Sequence, residues 1–292
     1  MHIAFDLHDF FQEDPLREIS MKWKQDGQLF YLYIDYHGDF ESLQIAWQRL
    51  QQEYRRIGEI DLRIRQIPPP NGNYESEAAS LYYEEIGIMK NVLYDVRAFI
   101  GIARTIMDKL AKLIEKLLGL SQGRGTSVSF SKHKKYLPER YPNIHPIYLD
   151  FLENKTHWYN QELLLLRDKT FEHGNTLLPY VRFSKDDGMT IFKKFEFSLM
   201  KESDKKDLLE IIPRYEAIFP NLKVIDDDFG MLYDFLHQTR RLDIKLDKKD
   251  VGKIRDIVYS FGIKIDKEFL ESIAHHLEDF IKQVAIIFKD SI

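Results

Sequence analysis

The sequence predicts a mainly α protein, a bundle of long helices with a small β-hairpin and extra helices in the C-terminal region. Two stretches, 29–67 and 76–118, repeat apolar residues at helical spacing. Clusters of Pro, Gly and Ser interrupt the chain after each of them. Strand-like texture is confined to one short region, 180–197.

Residues 1–27 carry little period, although Phe10, Phe11 and Trp23 suggest that parts of this arm pack down. In the first helical stretch Leu43, Trp47, Leu50, Tyr54, Ile57 and Leu62 mark the apolar side, and Pro68-Pro69-Pro70-Asn71-Gly72 ends it. In the second, the apolar face is Leu81, Ile86, Met89, Leu93, Val96, Ile100, Ile106, Leu110, Leu113 and Leu117, with Gly119 as the stop. Residues 119–143 read as a loop, since no period survives among their Gly, Ser and Pro. A third long helix is expected over 146–173, closed by Gly174-Asn175. A hairpin follows, its strands at 180–183 and 191–197 and its turn at 184–188. Further helices are expected near 204–219 (interrupted by Pro213 or ending before it), at 227–240, at 250–260 and at 267–289. The last has a clear stripe of Phe269, Ile273, Leu277, Phe280, Val284 and Ile287. The expected division is a helical bundle over 1–177 and a smaller α+β region over 178–292.

Composition narrows the function classes. Hydrophobic residues at 44% and aromatic residues at 13% argue for packed cores and against a disordered chain. There is no cysteine, which excludes disulfides, thiol catalysis and Cys-ligated metal centres. The N-terminus lacks a basic segment followed by an apolar one, and no apolar run approaches the roughly 20 residues of a membrane span. A cytoplasmic protein with no membrane association is therefore expected. The net charge is -5, so any binding of nucleic acid has to rely on a local basic patch. The most basic window lies in the expected loop, where Arg124, Lys132, Lys134, Lys135 and Arg140 face Glu139 alone and His133 lies among them. Two readings fit it, a solvated loop and an RNA- or anion-contacting loop.

Residues 158–174 concentrate the available chemistry. They run from apolar to charged and contain Arg167, Asp168 and His173. A guanidinium suits phosphate, and an imidazole in the last turn of a helix is favoured as the cation, which suits a proton donor. On one regular helix the six positions from Arg167 to His173 leave the side chains about 120° apart around the axis and about 9 Å apart along it. Joint action therefore requires a break in the helix or a second protomer. Alternatively, Arg167 pairs with a carboxylate and His173 caps carbonyls at a helix end. Other clusters read first as structure: His275-His276, Asp226-Asp227-Asp228, Asp6-x-His8-Asp9 as a frayed terminus, and Glu84-Glu85 without the Glu-x-x-His pairs of carboxylate-bridged metal bundles. No metal site and no cofactor are expected.

Arg167, Asp168 and His173, preceded by the aromatic and leucine-rich run from Trp158 to Leu166, resemble the Arg-x(4–6)-His motif of the HEPN family (higher eukaryotes and prokaryotes nucleotide-binding domain). The likeness covers residues 29–177 and leaves 178–292 unexplained. It implies an all-helical bundle and a homodimer whose motifs face each other. In active members it implies metal-independent RNA cleavage, with Arg167 steadying the phosphate and His173 handling protons. A toxin-like member implies a nucleotidyltransferase-like antitoxin as partner. Non-catalytic relatives imply instead a module that binds a nucleotide or a protein.

Overall fold

The two apolar repeats become long helices in the computed structural model, which describes residues 6–66, 74–120, 129–164, 202–215, 235, 245–261 and 267–289. A short helix α1 (Arg17–Ser20) and a 3₁₀ turn (Met21–Gln25) lead into α2 (Gly27–Gln66, 40 residues), and α3 (Tyr74–Leu117) has 44 residues. Each long helix spans about 60 Å at 1.5 Å per residue. Asp35 meets Lys109, Arg49 meets Asp95 and Arg63 meets Glu84, so numbers rise on one helix as they fall on the other. The pair is antiparallel and makes the most extensive helix contact among the described residues.

Its seam follows from spacing. Tyr33, Tyr36, Phe40, Leu43, Trp47 and Leu50 are all buried, alternating three and four residues apart. That alternation averages 3.5 residues and keeps one edge turned to a partner helix. Leu81, Ile88, Val92, Val96, Phe99, Ala103, Ile106, Leu110 and Leu113 are buried on α3, and Trp47 lies 5.2 Å from Phe99 between ring centres. Near the end of α2 the seam differs from expectation. Ile60 is 2% exposed and Leu62 is 54% exposed. Five positions beyond Ile57 is about 140° round the helix, whereas three positions is only about 60°.

Gly119 ends α3 as expected. Its φ is +74°. Its N–H donates to the Lys116 carbonyl at 3.0 Å, and the Leu120 N–H to the Glu115 carbonyl at 2.9 Å. These are the two bonds of a Schellman cap, which satisfies carbonyls the helix would otherwise leave open.

Two expectations are corrected after Gly119. Residues 119–143 are not a loop throughout, because α4 (Phe130–Arg140) occupies the second half. Ser129 caps it, and Phe130, His133 and Leu137 form a short buried face. Pro138 comes late enough that the helix still reaches Arg140. The third helix is likewise not continuous. α5 (Pro146–Asn154) stops, Thr156 turns its hydroxyl back to the Leu152 carbonyl at 2.6 Å, and a π-helical stretch (Tyr159–Leu164) follows. The break lets Trp158, Tyr159 and Leu163 all be buried.

The remaining described helices are α6 (Glu202–Tyr215), α7 (Lys248–Phe261) and α8 (Lys267–Ile287). α6 runs through Pro213, which forfeits one rung two residues before the end. The expected hairpin at 180–197 and helix at 227–240 lie outside the described residues, apart from Phe235. On α8 the stripe Phe269, Ile273, Leu277, Phe280 and Val284 is buried, and Ile287 is half-buried.

The chain divides into two compact units, Met1–Arg167 with Glu271–Ile292, and Asp168–Leu270. In the first, residues 6–16 are held by side chains rather than frayed. Gln51 donates to the carbonyls of Leu7 and His8, and Trp47 Nε1 donates to the His8 carbonyl at 2.9 Å. From α8, Glu271 accepts from the His8 N–H and Glu278 from the Phe11 N–H. Phe11 takes a left-handed φ of 59° and packs against Phe40, Trp47 and Phe99. Asp14, almost wholly buried, accepts from Tyr33, Tyr36 and the Leu16 N–H and lies 2.8 Å from His37 Nδ1. In the second unit α6 packs on α7. Buried Asp250 accepts from Arg214 at 2.6 Å and from Tyr215 at 3.0 Å.

Gly119→Ala forces a β-carbon into the left-handed region and is expected to destabilise the protein by about 1–2 kcal/mol. Chemical denaturation should show a lower midpoint with an unchanged slope.

Candidate functional site

Arg167, Asp168, His173 and Arg124 lie outside the described residues, and so does 226–228. Residues 158–164, which lead towards the motif, and the remaining basic residues are described, and α3 meets both. Asp108 of α3 accepts from the Phe130 N–H at 2.7 Å, and the Ser129 hydroxyl accepts from the Lys132 N–H at 3.4 Å. Two open donors at the start of α4 are thereby satisfied. Arg104 pairs with Asp108 at 2.8 Å and lies over the Tyr159 ring at 5.1 Å.

His133, counted with the basic window in the sequence, is 0% exposed. Its Nδ1 lies 2.9 Å from Glu115 Oε1 of α3, and its Nε2 lies 2.9 Å from the Tyr148 hydroxyl of α5. Burial first, and then the charge of Glu115, pushes the Tyr148 phenol well above its ordinary value. The phenol therefore stays protonated. This Glu–His–Tyr chain ties three helices together and is sealed from solvent, so its role is structural. The sequence did hold a signal for it, because Phe130, His133 and Leu137 fall at helical spacing. The partners, 18 and 15 residues away, could not be read there.

The four described basic residues have different surroundings. Lys132, Lys135 and Arg140 are exposed on α4. Lys134 is half-buried and donates to the Thr156 carbonyl at 2.6 Å, fastening α4 to the chain after α5. Arg140 places its guanidinium 4.7 Å over the Tyr136 ring. On the incoming segment Trp158 stacks on His276 of α8 at 5.6 Å, and Tyr159 meets Phe130 edge-on at 4.7 Å.

The other clusters are dispersed. Asp6 pairs with Arg55 at 2.7 Å, Asp9 accepts from Gln51 at 2.9 Å, and Glu84 lies 3.6 Å from Arg63. His275 lies 3.4 Å from Asp279 on the solvent side of α8. Among the described residues no group of three or more His, Asp or Glu could hold a metal ion, and no helix is long and apolar enough to cross a membrane.

Two outcomes test this construction. His133→Ala leaves the buried Glu115 carboxylate without its imidazole and is expected to destabilise the protein by about 3 kcal/mol, read as a lower denaturation midpoint. The second concerns alkaline pH. Burial, then the Asp14 charge, raises Tyr33 to about 12, against about 10 for an unperturbed phenol. The same two causes hold Tyr36 well above its ordinary value. The unfolded chain thus releases these protons first. Stability is whole below pH 10 and falls as pH climbs towards 12. Phenolate absorbance should show a late class of tyrosines that ionises together with loss of helical signal.

No family model, curated protein or solved structure matches this chain.

Proposed function

We propose that this chain is a HEPN-like ribonuclease of toxin or phage-defence type, a cytoplasmic homodimer that cleaves RNA without a metal ion. The observation that carries this reading is the order Arg167, Asp168 and, five residues on, His173, directly after an aromatic and leucine-rich segment. Trp158, Tyr159 and Leu163 of that segment are buried in the first unit. Paired catalytic groups need a rigid base, and this burial supports the reading. The mainly α fold and the exposed cations on α4 add support.

In this reading two copies of the motif converge on one phosphate. The 2′-hydroxyl attacks the adjacent phosphorus while the bond to the 5′-oxygen of the next nucleotide breaks. The products are a 2′,3′-cyclic phosphate and a 5′-hydroxyl. Arg167 grips the phosphate with its planar fork, and His173 moves protons between the two oxygens. Asp168 orients either group. Arg124, Lys132, Lys135 and Arg140 supply the basic contact with the strand, while Lys134 of the same basic window is tied to the Thr156 carbonyl. A nucleotidyltransferase-like antitoxin is the partner that such a toxin implies.

The net charge of -5 favours a second reading, a non-catalytic HEPN-like module that binds a nucleotide or a protein partner.

Purified protein is expected to degrade RNA in the presence of EDTA and to leave cyclic-phosphate ends. His173→Ala should slow this by about 100-fold or more while the thermal unfolding curve stays in place. Equal loss of RNA with both proteins assigns the activity to a contaminant and leaves the module reading. Under that reading, replacing Arg167 or His173 alters stability or partner capture alone.

A further inference from the structure

The solvent face of α4 has a chemistry of its own. Lys132, Lys135, Tyr136, Glu139 and Arg140 fall within about 140° of arc, and the buried Phe130, His133 and Leu137 occupy the arc beside it. Glu139 is the one carboxylate in the helix. Two phenol rings stand among the cations. Tyr136 is half-buried on the helix, and Tyr141, just beyond its end, is 36% exposed. Their centres lie 5.7 Å apart with the planes at 67°. The hydrogen bond with Tyr136, followed by its charge, raises the Tyr141 phenol above its ordinary value. The helix beneath is fixed by Ser129, Asp108, His133 and Lys134, and the face is therefore preorganised.

We infer that this face binds single-stranded RNA, with a base stacked on Tyr141 beside the Tyr136 ring that Arg140 covers, and the flanking phosphates held by Lys132, Lys135 and Arg140. The inference rests on the RNA reading above and adds the form of the strand and the residues that recognise it. Cations alone would suit duplex RNA equally well. Rings placed among them suit bases that are not already stacked in a helix. An acidic peptide would satisfy the lysines and leave the two rings without a role.

The test is fluorescence anisotropy on the full chain carrying His173→Ala, in EDTA, across a salt series. The probes are a labelled ten-nucleotide uridine strand, the same-length DNA strand, an RNA duplex and a glutamate-rich peptide. The RNA strand should bind in preference to the duplex and the peptide. Tyr136→Leu with Tyr141→Leu should weaken strand binding by about ten-fold or more without changing its salt dependence. Tyr136→Phe with Tyr141→Phe should preserve it. Lys132→Gln with Lys135→Gln should lower the salt slope by about 1–2. Unaltered affinity in the leucine variant, equal binding of duplex, tighter binding of DNA or peptide, or no RNA binding each overturns the inference. Ring-dependent binding by a wild-type protein that does not cleave removes the ribonuclease reading alone. Cleavage that is indifferent to the leucine variant removes the stacking face alone.

Discussion

The antiparallel seam between α2 and α3 is the constraint on which the rest of the first unit depends. It fixes a long straight edge, and the other elements are fastened to it. Arg104, Asp108 and Glu115 lie on one strip of α3, since steps of four and seven residues return to nearly the same bearing. Arg104 covers Tyr159, Asp108 caps α4, and Glu115 holds His133. On α2, Trp47 and Gln51 take the backbone of the N-terminal arm. A sliding of α2 against α3 by one residue would therefore misplace the arm and α4 together.

Three of the buried carboxylates, Asp14 and Glu115 in the first unit and Asp250 in the second, are satisfied in one style. Asp14 gathers two phenols and an imidazole, Glu115 takes an imidazole linked to a phenol, and Asp250 takes a phenol and a guanidinium. Burying a carboxylate is costly, and donors that reach it offset the cost. Each cluster therefore demands one arrangement of the helices that supply the donors, a stricter requirement than oily contact alone imposes.

Long-range order was legible where the sequence repeats. The limits of α2, α3 and α8 follow from apolar spacing, Pro68-Pro69-Pro70 and Gly119, because such signals are local. α4 was hidden. Its buried face is three residues long, and Pro138 sits inside it, so no window held enough period to outweigh the turn formers. The break after α5 was hidden for a different reason. Thr156 can bond back to the Leu152 carbonyl in a continuous helix as well, and only the demand to bury both Trp158 and Tyr159 decides between the two. As to the candidate site, residue type and spacing picked out Arg167 and His173. They could not tell that Lys134 would be tied to a carbonyl while Lys132 and Lys135 remained exposed on the same helix. That distinction is set by contacts made across more than twenty residues of chain.

The return of α8 to the first unit has a bearing on synthesis. Phe280 packs on Phe130 and Phe151, and Phe288 on Tyr148, so the interior around α4 and α5 is finished by α8 and the residue just after it. A ribosome that has made every residue up to the start of α8 has still not supplied these rings. The first unit thus stays open until α8 has been made.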